Sequence, residues 1–299
     1  MPRPDAPLVA WLGAIEGDTT LVGGKAASLD ALARLGFRIP PGFCLTTRAF
    51  DAQLQALPAS GAALDGLPDE AARTELTRAF ETVPLDPEVE VALAAAVARL
   101  TAELEAISAT PVRFAVRSSG IGEDGSAASF AGLHETELGV SPDGVADAVR
   151  RCWASLWSAP AVAYRQRRGL AMDGGGMAVV VQALVPADAA AVVFTRHPVT
   201  GRSDQVVITA VRGLGEAMVS GTVTPDTWVV DRASGRTVEY TPGDRAAGQA
   251  GAALEPPLLD ELTRLALSVE AGFGAPVDLE AAAARDVWYL LQARPITTG

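Results

Sequence analysis

Residues 21–43 read LVGGKAASLDALARLGFRIPPGF, a glycine pair and a lysine followed by apolar residues at helical spacing. The apolar residues recur three or four positions apart at Ala26, Leu29, Leu32, Ala33 and Leu35. This spacing predicts a helix that begins at or just after the GGK turn. The prolines of IPPGF end the helix, because proline cannot continue one.

Lys25 is the only lysine of a 299-residue chain that has 23 arginines. The glycines before it allow close backbone approach, and a helix start offers N–H donors, so the turn suits an anion. A Walker A loop is excluded, because the motif GxxxxGK[ST] is absent here. The alternative is an ordinary helix start with a solvated lysine. The composition favours a functional lysine, since a compact ammonium and a planar guanidinium bind differently.

The bulk composition is that of a folded protein, with 49% hydrophobic and 20% charged residues. A formal charge of −12 argues against broad attraction to nucleic acid or to an anionic membrane. Cys44 and Cys152 form no CxxC or zinc motif, and a disulfide framework is not expected. The N-terminal residues lack a signal-peptide core, so we expect a cytoplasmic protein.

The first part of the chain is rich in helix signals. Its apolar periodicity and breakers predict helices within 49–109, a strand at 112–116, a loop over 117–132 and helical structure over 145–168. Trp153 and Trp157 lie four residues apart on one helical face. We expect both to pack against the core.

The second part is rich in strand signals. The tract 177–194 predicts two buried strands that pair through a Pro-Ala-Asp turn. Further signals predict strands at 206–209, 227–231 and 237–240, a helix over 256–273, and a closing hairpin of VDLE and VWYLLQARP. The chain therefore reads as α+β, with subdomains 1–185 and 186–299, the first carrying a helical insertion over about 49–109.

A second motif, AVRSSGIGEDGSAASFAGLHET, begins where the strand ends at Arg117. The guanidinium can bind phosphate oxygens through two parallel hydrogen bonds, and Ser118 and Ser119 add hydroxyls beside it. The small residues that follow let backbone amides approach a ligand. The alternative is a loop that only connects strands.

A third motif is VDLE, eleven residues, then QARP. Asp278 and Glu280 share one face of an extended strand, as do Gln292 and Arg294, because side chains alternate. If the strands pair, a carboxylate, an amide oxygen and a guanidinium converge, which suits Mg²⁺ shared with a nucleotide phosphate. The alternative is a surface hairpin with a salt bridge.

These motifs, together with FTRHPVTG and GLGEAMVSGTVTPD between them, resemble in order and spacing a known nucleotide-binding domain. It is the N-terminal ATP-grasp domain of the pyruvate phosphate dikinase, phosphoenolpyruvate synthase and rifampicin phosphotransferase family. The similarity runs from about Thr20 to Thr298. It implies an ATP-grasp fold in which two α+β subdomains clamp ATP.

The resemblance also implies residue roles. Lys25 and Arg117 would hold phosphates, and Gly132 and Thr136 would belong to the loop that covers them. Gln182 would lie near the base or ribose. On the closing hairpin, Glu280 and Gln292 would bind Mg²⁺, and Arg294 would reach the transferred phosphate.

Two departures from the family pattern stand out. Ala281 replaces the tryptophan that usually follows the glutamate matching Glu280, so we expect different packing behind the metal site. The swivelling domain, whose histidine takes the phosphate in full-length relatives, is not in this sequence. The acceptor is therefore expected on a separate domain or protein, or as a small molecule.

The resemblance leaves several functions open. The first is an ATP-dependent, dikinase-like phosphotransferase component that cleaves ATP to AMP and phosphate and passes a phosphoryl group to a histidine or substrate. The second is an ATP-dependent ligase or kinase of a small molecule. The third is a nucleotide-binding or sensing module without turnover. The chain could also be a piece of a longer dikinase-like phosphotransferase.

Overall fold

A computed structural model describes residues 6–15, 17–58, 70–121, 136–168, 176–219, 221–244 and 251–296. The chain folds as two compact units. The first comprises Met1–Asp30 and Pro41–Leu184, and the second comprises Ala31–Pro40 and Val185–Gly299. Each unit contains one antiparallel sheet and packed helices. The α+β prediction is confirmed.

The first unit is built on a five-stranded sheet. Its strands are β1 (Val9–Trp11), β2 (Gly42–Leu45), β3 (Phe114–Gly120), β4 (Thr136–Val140) and β5 (Met177–Ala183), and their spatial order is β1-β2-β5-β3-β4. Two 3₁₀ turns, Pro142–Gly144 and Ser155–Trp157, flank the helix that lies between them in sequence. Its helices are α1 (Thr19–Arg34, whose last residues belong to the second unit), α2 (Thr47–Ala56), α3 (Glu70–Thr82), α4 (Pro87–Glu105), α5 (Val145–Ala154) and α6 (Ala159–Arg168).

One face of this sheet packs against the helices. Alternate strand residues such as Phe43, Val116 and Val179 enter the same core as side chains from α2 to α5. Trp153 and Trp157 are 0% and 1% exposed and make edge-to-face contacts with Phe50 of α2 and Phe80 of α3, respectively. The expectation that both tryptophans pack in the core is confirmed.

The structure corrects two strand predictions. β3 continues to Gly120, past the residue at which we expected a loop, because Arg117 to Gly120 pair with β5. The tract 177–194 does contain two strands, but they do not pair with each other. β5 lies in the sheet of the first unit, and β6 (Ala189–Phe194) lies in the sheet of the second.

The second unit is a six-stranded sheet with the strand order β11-β10-β6-β7-β8-β9. Its remaining strands are β7 (Gln205–Arg212), β8 (Asp226–Asp231), β9 (Thr237–Thr241), β10 (Val277–Ala284) and β11 (Val287–Pro295), and its helices are α7 (Glu216–Val219) and α8 (Pro256–Phe273). One face packs on α8 through Leu262, Ala266 and Val269. The expected closing hairpin is present as β10 and β11. Among the described residues, no helix is long and apolar enough to span a membrane.

A bidentate ion pair ties α8 to the loop after β8. Arg232 donates to both carboxylate oxygens of Glu270, at 3.0 and 2.6 Å, and to the carbonyl oxygen of Thr195 at 3.2 Å. Burial alone would raise the pKa of Glu270. The hydrogen bonds from Arg232 and Thr195 and the charge of Arg232 outweigh it and hold this pKa below its usual value of 4.5.

We expect Glu270→Gln to destabilise the protein by about 1 kcal/mol near neutral pH, through loss of a charge-assisted hydrogen bond. A lowered native pKa gives stability that is present above the unfolded pKa and lost as the pH falls through the native one. The advantage of the wild type should therefore shrink below pH 4.5. Urea unfolding across the acidic range measures it, with exposed Glu261→Gln as the control. A constant difference at every pH would contradict this account.

Candidate functional site

The GGK turn interrupts α1. Gly23 has φ 71° and ψ 175°, so the helix breaks there and a second helical segment begins at the following residues. This agrees with the expected helix start. Val22, Ala26 and Leu29 are buried at 0%, 0% and 1% exposure, which fixes one side of the segment, while Lys25 is only half-buried.

The turn lies directly against β3. A Cβ atom at Gly23 would be 2.1 Å from the carbonyl oxygen of Ser119, so only glycine fits. The Ser119 hydroxyl donates to the carbonyl oxygen of Val22 at 2.8 Å and accepts from the N–H of Ala26 at 3.2 Å. The lysine turn and the arginine strand, 93 residues apart in sequence, are thus one local structure.

The second face of the first sheet carries the predicted polar residues. Arg117 and Ser119 are two positions apart on β3 and therefore share a face. Thr136 on β4 lies opposite Arg117, and Gln182 on β5 lies opposite Ala115 of the same face. The structure therefore brings Lys25, Arg117, Thr136 and Gln182 to one side of one sheet. Gly132 lies outside the described residues.

The structure corrects our expectation for the two serine hydroxyls. Ser118 points to the opposite face, with Phe114 and Val116, and its hydroxyl is buried without a hydrogen-bond partner among the described residues. Ser119 is completely buried and its hydroxyl holds the turn. Neither hydroxyl is presented beside Arg117 as a ligand would require.

Sequence reasoning also missed a role for Gly42, the glycine of IPPGF. It pairs with Gln182, and a Cβ there would be 2.5 Å from the carbonyl oxygen of Val181 and 2.9 Å from Cγ of Gln182. The absent side chain leaves room for the glutamine, which is 2% exposed. A glycine directly after two prolines was the available signal.

In the hairpin of the second unit, the two strands pair so that the polar residues predicted to share faces lie opposite one another. Glu280 lies opposite Gln292, and Asp278 lies opposite Arg294. The pairing shifts by one residue immediately after Glu280, which is a β-bulge. Ala281, where the family pattern has tryptophan, is 1% exposed on the core face of the second unit, so its small size affects that core rather than the polar face.

Arg294 forms an ion pair with Asp278, with its Nε at 2.8 Å and its Nη2 at 2.6 Å from Oδ2. Burial raises the pKa of Asp278, and the charge and hydrogen bond of Arg294 offset part of that rise. The salt bridge of the alternative interpretation is therefore present beside Glu280 and Gln292.

The oxygen donors of this hairpin suit a hard cation. Glu280 is half-buried and Gln292 is 7% exposed, and their Cα atoms are paired across the two strands. Within the described parts of the chain, no three His, Cys, Asp or Glu side chains form a metal cluster. Two protein oxygen donors are enough for Mg²⁺, because this ion keeps several waters and takes substrate phosphates as its other ligands. They are too few for an ion whose ligands all come from the protein.

We expect Gly23→Ala to destabilise the protein by about 2–4 kcal/mol, because the new methyl group meets the Ser119 backbone. Gly17→Ala is the matched control. Gly17 has φ +79°, but a Cβ atom there would meet no other described atom within 4 Å, so it reports the backbone strain alone, about 1 kcal/mol. Urea unfolding compares them, and equal losses would show that the close contact is unimportant.

Comparison with known proteins gives several relatives over nearly the whole chain. The prodigiosin synthesizing transferase PigC of Serratia marcescens is 38% identical over 95% of this chain and 33% of its own length. A rifampicin phosphotransferase of Streptomyces sviceus is 37% identical over 95% of this chain and 35% of its own length. A probable phosphoenolpyruvate synthase of Methanothermobacter thermautotrophicus is 33% identical over 94% of this chain and 44% of its own length. The chain thus spans a third to less than half of the length of these relatives.

A family model covers both units. The pyruvate phosphate dikinase, AMP/ATP-binding domain, matches residues 19–299. The match begins at the first residue of α1 and includes both groups of polar residues described above. The match agrees with the nucleotide-binding domain that the motifs implied. The chain belongs to the pyruvate phosphate dikinase AMP/ATP-binding domain family.

Proposed function

We propose that this chain binds Mg-ATP and is the phosphoryl-donor part of a dikinase-like phosphotransferase. The observation that carries the proposal is the contact of the lysine turn with β3, which gathers Lys25, Arg117 and Thr136 at one sheet face. A chain with a formal charge of −12 attracts a polyphosphate only where cations are gathered locally.

Each residue of the first unit has a distinct part in the proposal. Lys25 and Arg117 hold the phosphates, Arg117 as a planar fork and Lys25 as a compact charge. Thr136, opposite Arg117, lies at the start of β4 and with Gly132 belongs to the segment that covers the phosphates. Gln182, buried on the same face, contacts the base or ribose.

The hairpin of the second unit supplies the metal site in this proposal. Glu280 and Gln292 hold Mg²⁺, which neutralises phosphate charge when bound. Arg294 then reaches the transferred phosphate. Its ion pair with Asp278 holds the guanidinium at the same hairpin face, so the arginine is oriented before any phosphate arrives.

The proposed reaction takes ATP, water and an acceptor to AMP, phosphate and the phosphorylated acceptor. One phosphoryl group goes to water and one to the acceptor, and the acceptor loses a proton. The acceptor is a histidine on a separate domain or protein, or a small molecule. The protein acts in the cytoplasm, where ATP is available. The residues named above bind, orient and stabilise charge, which is the main contribution of protein groups to phosphoryl transfer.

We expect Lys25→Ala and Arg117→Ala each to weaken ATP binding by about 10- to 100-fold, the loss of a charge-assisted hydrogen bond, and to abolish ATP turnover with the fold intact. Lys25→Arg should also be impaired, because a planar fork replaces a point charge. Calorimetry and anion-exchange analysis of nucleotides measure both effects. The control is Arg202→Ala, whose guanidinium pairs with Asp204 on the surface. Unchanged binding and turnover in both alanine variants would overturn the assignment.

We expect Glu280→Gln and Gln292→Ala to raise the Mg²⁺ concentration needed for half-maximal ATP binding by about tenfold, because the first removes a ligand's negative charge and the second removes a ligand oxygen. Titration of Mg²⁺ at fixed ATP measures it, and the exposed Glu261→Gln variant is the control. An unchanged Mg²⁺ requirement in both variants would remove the hairpin from the metal site.

A further inference from the structure

The Ser119 hydroxyl takes the place of a missing helical hydrogen bond. In an uninterrupted helix the N–H of Ala26 would donate to the carbonyl oxygen of Val22, four residues earlier. The break at Gly23 separates these groups. The hydroxyl joins them again, since it donates to Val22 at 2.8 Å and accepts from Ala26 at 3.2 Å.

This bridge is buried and has little freedom. Ser119 is 0% exposed, and its backbone carbonyl oxygen occupies the position where a side chain at Gly23 would lie. Cys44 of β2 also directs its Sγ to the Val22 carbonyl, at 3.6 Å, which is a weak contact. Without the hydroxyl, the Ala26 N–H would lose its bond to β3, and a buried donor without a partner is costly.

The bridge spans the ends of the segment that carries Lys25. Val22 and Ala26 lie three residues before and one residue after the lysine, so fixing both fixes the start of its side chain. Ser119 is on the same strand and face as Arg117, two positions away. One hydroxyl therefore fixes the backbone that carries Lys25 against the strand that carries Arg117.

We propose that Ser119 is a positioning residue that holds Lys25 at the correct distance from Arg117 for a polyphosphate. It acts through the lysine and makes no contact with the nucleotide. The inference rests on the proposed function, because it assumes that these two cations bind the phosphates of ATP. Its consequence is selective: loss of the hydroxyl weakens recognition of the phosphates and spares recognition of the nucleoside.

The layout of the sheet explains why recognition of the nucleoside is spared. Ser119 lies opposite Ala178 of β5, whereas Gln182, the proposed base or ribose contact, is four residues further along that strand. Movement of the lysine turn leaves that end of the face unchanged. A general loosening of the fold would weaken ATP and adenosine alike, which distinguishes positioning from a purely structural role.

The test compares two adjacent serines of one strand. Ser119→Ala removes the bridge, and Ser118→Ala removes a hydroxyl that is 1% exposed on the core face. Calorimetry with Mg-ATP and with adenosine should give about tenfold weaker ATP binding for Ser119→Ala, unchanged adenosine binding, and neither change for Ser118→Ala. Equal weakening of both ligands, or none, would overturn the proposal. If Ser119→Ala does not fold, Ser119→Cys, which keeps only a weak donor, takes its place and should show the same selectivity.

A double-mutant cycle separates this inference from the proposed function. If Ser119 acts through Lys25, then Ser119→Ala should add nothing to the loss already caused by Lys25→Ala. Additive losses would overturn the positioning role and leave the phosphate site standing. If Lys25→Ala itself leaves ATP binding unchanged, the proposed function fails, and the positioning role fails with it.

Discussion

The site of the first unit depends on the close contact between Gly23 and Ser119. A helix that ran without a break past this point would carry Lys25 in its middle, where every N–H is already bonded to its own helix. The left-handed glycine opens the helix, and the absence of a Cβ lets the opened turn lie on β3. The cost of opening is offset by one serine hydroxyl, which bonds both groups that the break separates.

Because side chains alternate along a strand, one face of each sheet packs in the core and the other face carries the polar residues of the candidate site. On β3, Val116 faces the helices while Arg117 faces the other way. On β10, Leu279 lies in the core while Glu280 lies on the polar face. The bulge after Glu280 matters here, because Leu290 and Gln292 would share a face in a regular strand, and the extra residue lets Leu290 lie in the core while Gln292 lies on the polar face. A one-residue slip in either sheet would bury the charges and expose the core.

Sequence signals predicted correctly the elements whose ends are set by neighbouring residues. α8 spans the predicted residues, because two prolines begin it and a left-handed Gly274 ends it. Alternation alone predicted that Asp278 and Glu280 share a face, as do Gln292 and Arg294, whereas the bulge after Glu280 had no signal. The extension of β3 to Gly120 could not be foreseen, since Arg, Ser and Gly favour strands weakly and the pairing partner is some 60 residues away in β5. The predicted boundary at 185/186 separated the strands before and after Pro186, whereas the local turn pattern suggested that they pair; they join different sheets. That Ser118 faces the core and Ser119 holds the turn depended on the unforeseen pairing of β3 with β5.

The single lysine is understandable in this setting. Arg117 projects from a strand that is hydrogen-bonded on both sides, so its planar guanidinium has a fixed base from which to bind two oxygens. Lys25 projects from the first residues of a helical segment whose backbone is fixed at Val22 and Ala26. In the proposed function, a flexible stem on a fixed base gives a point charge that follows a phosphate during transfer, which a second planar fork could not do without breaking its paired bonds. In a chain that uses arginine everywhere else, the bridge by Ser119 fixes the backbone of the turn, so that in the proposed function only the side chain of Lys25 has to move with the phosphate.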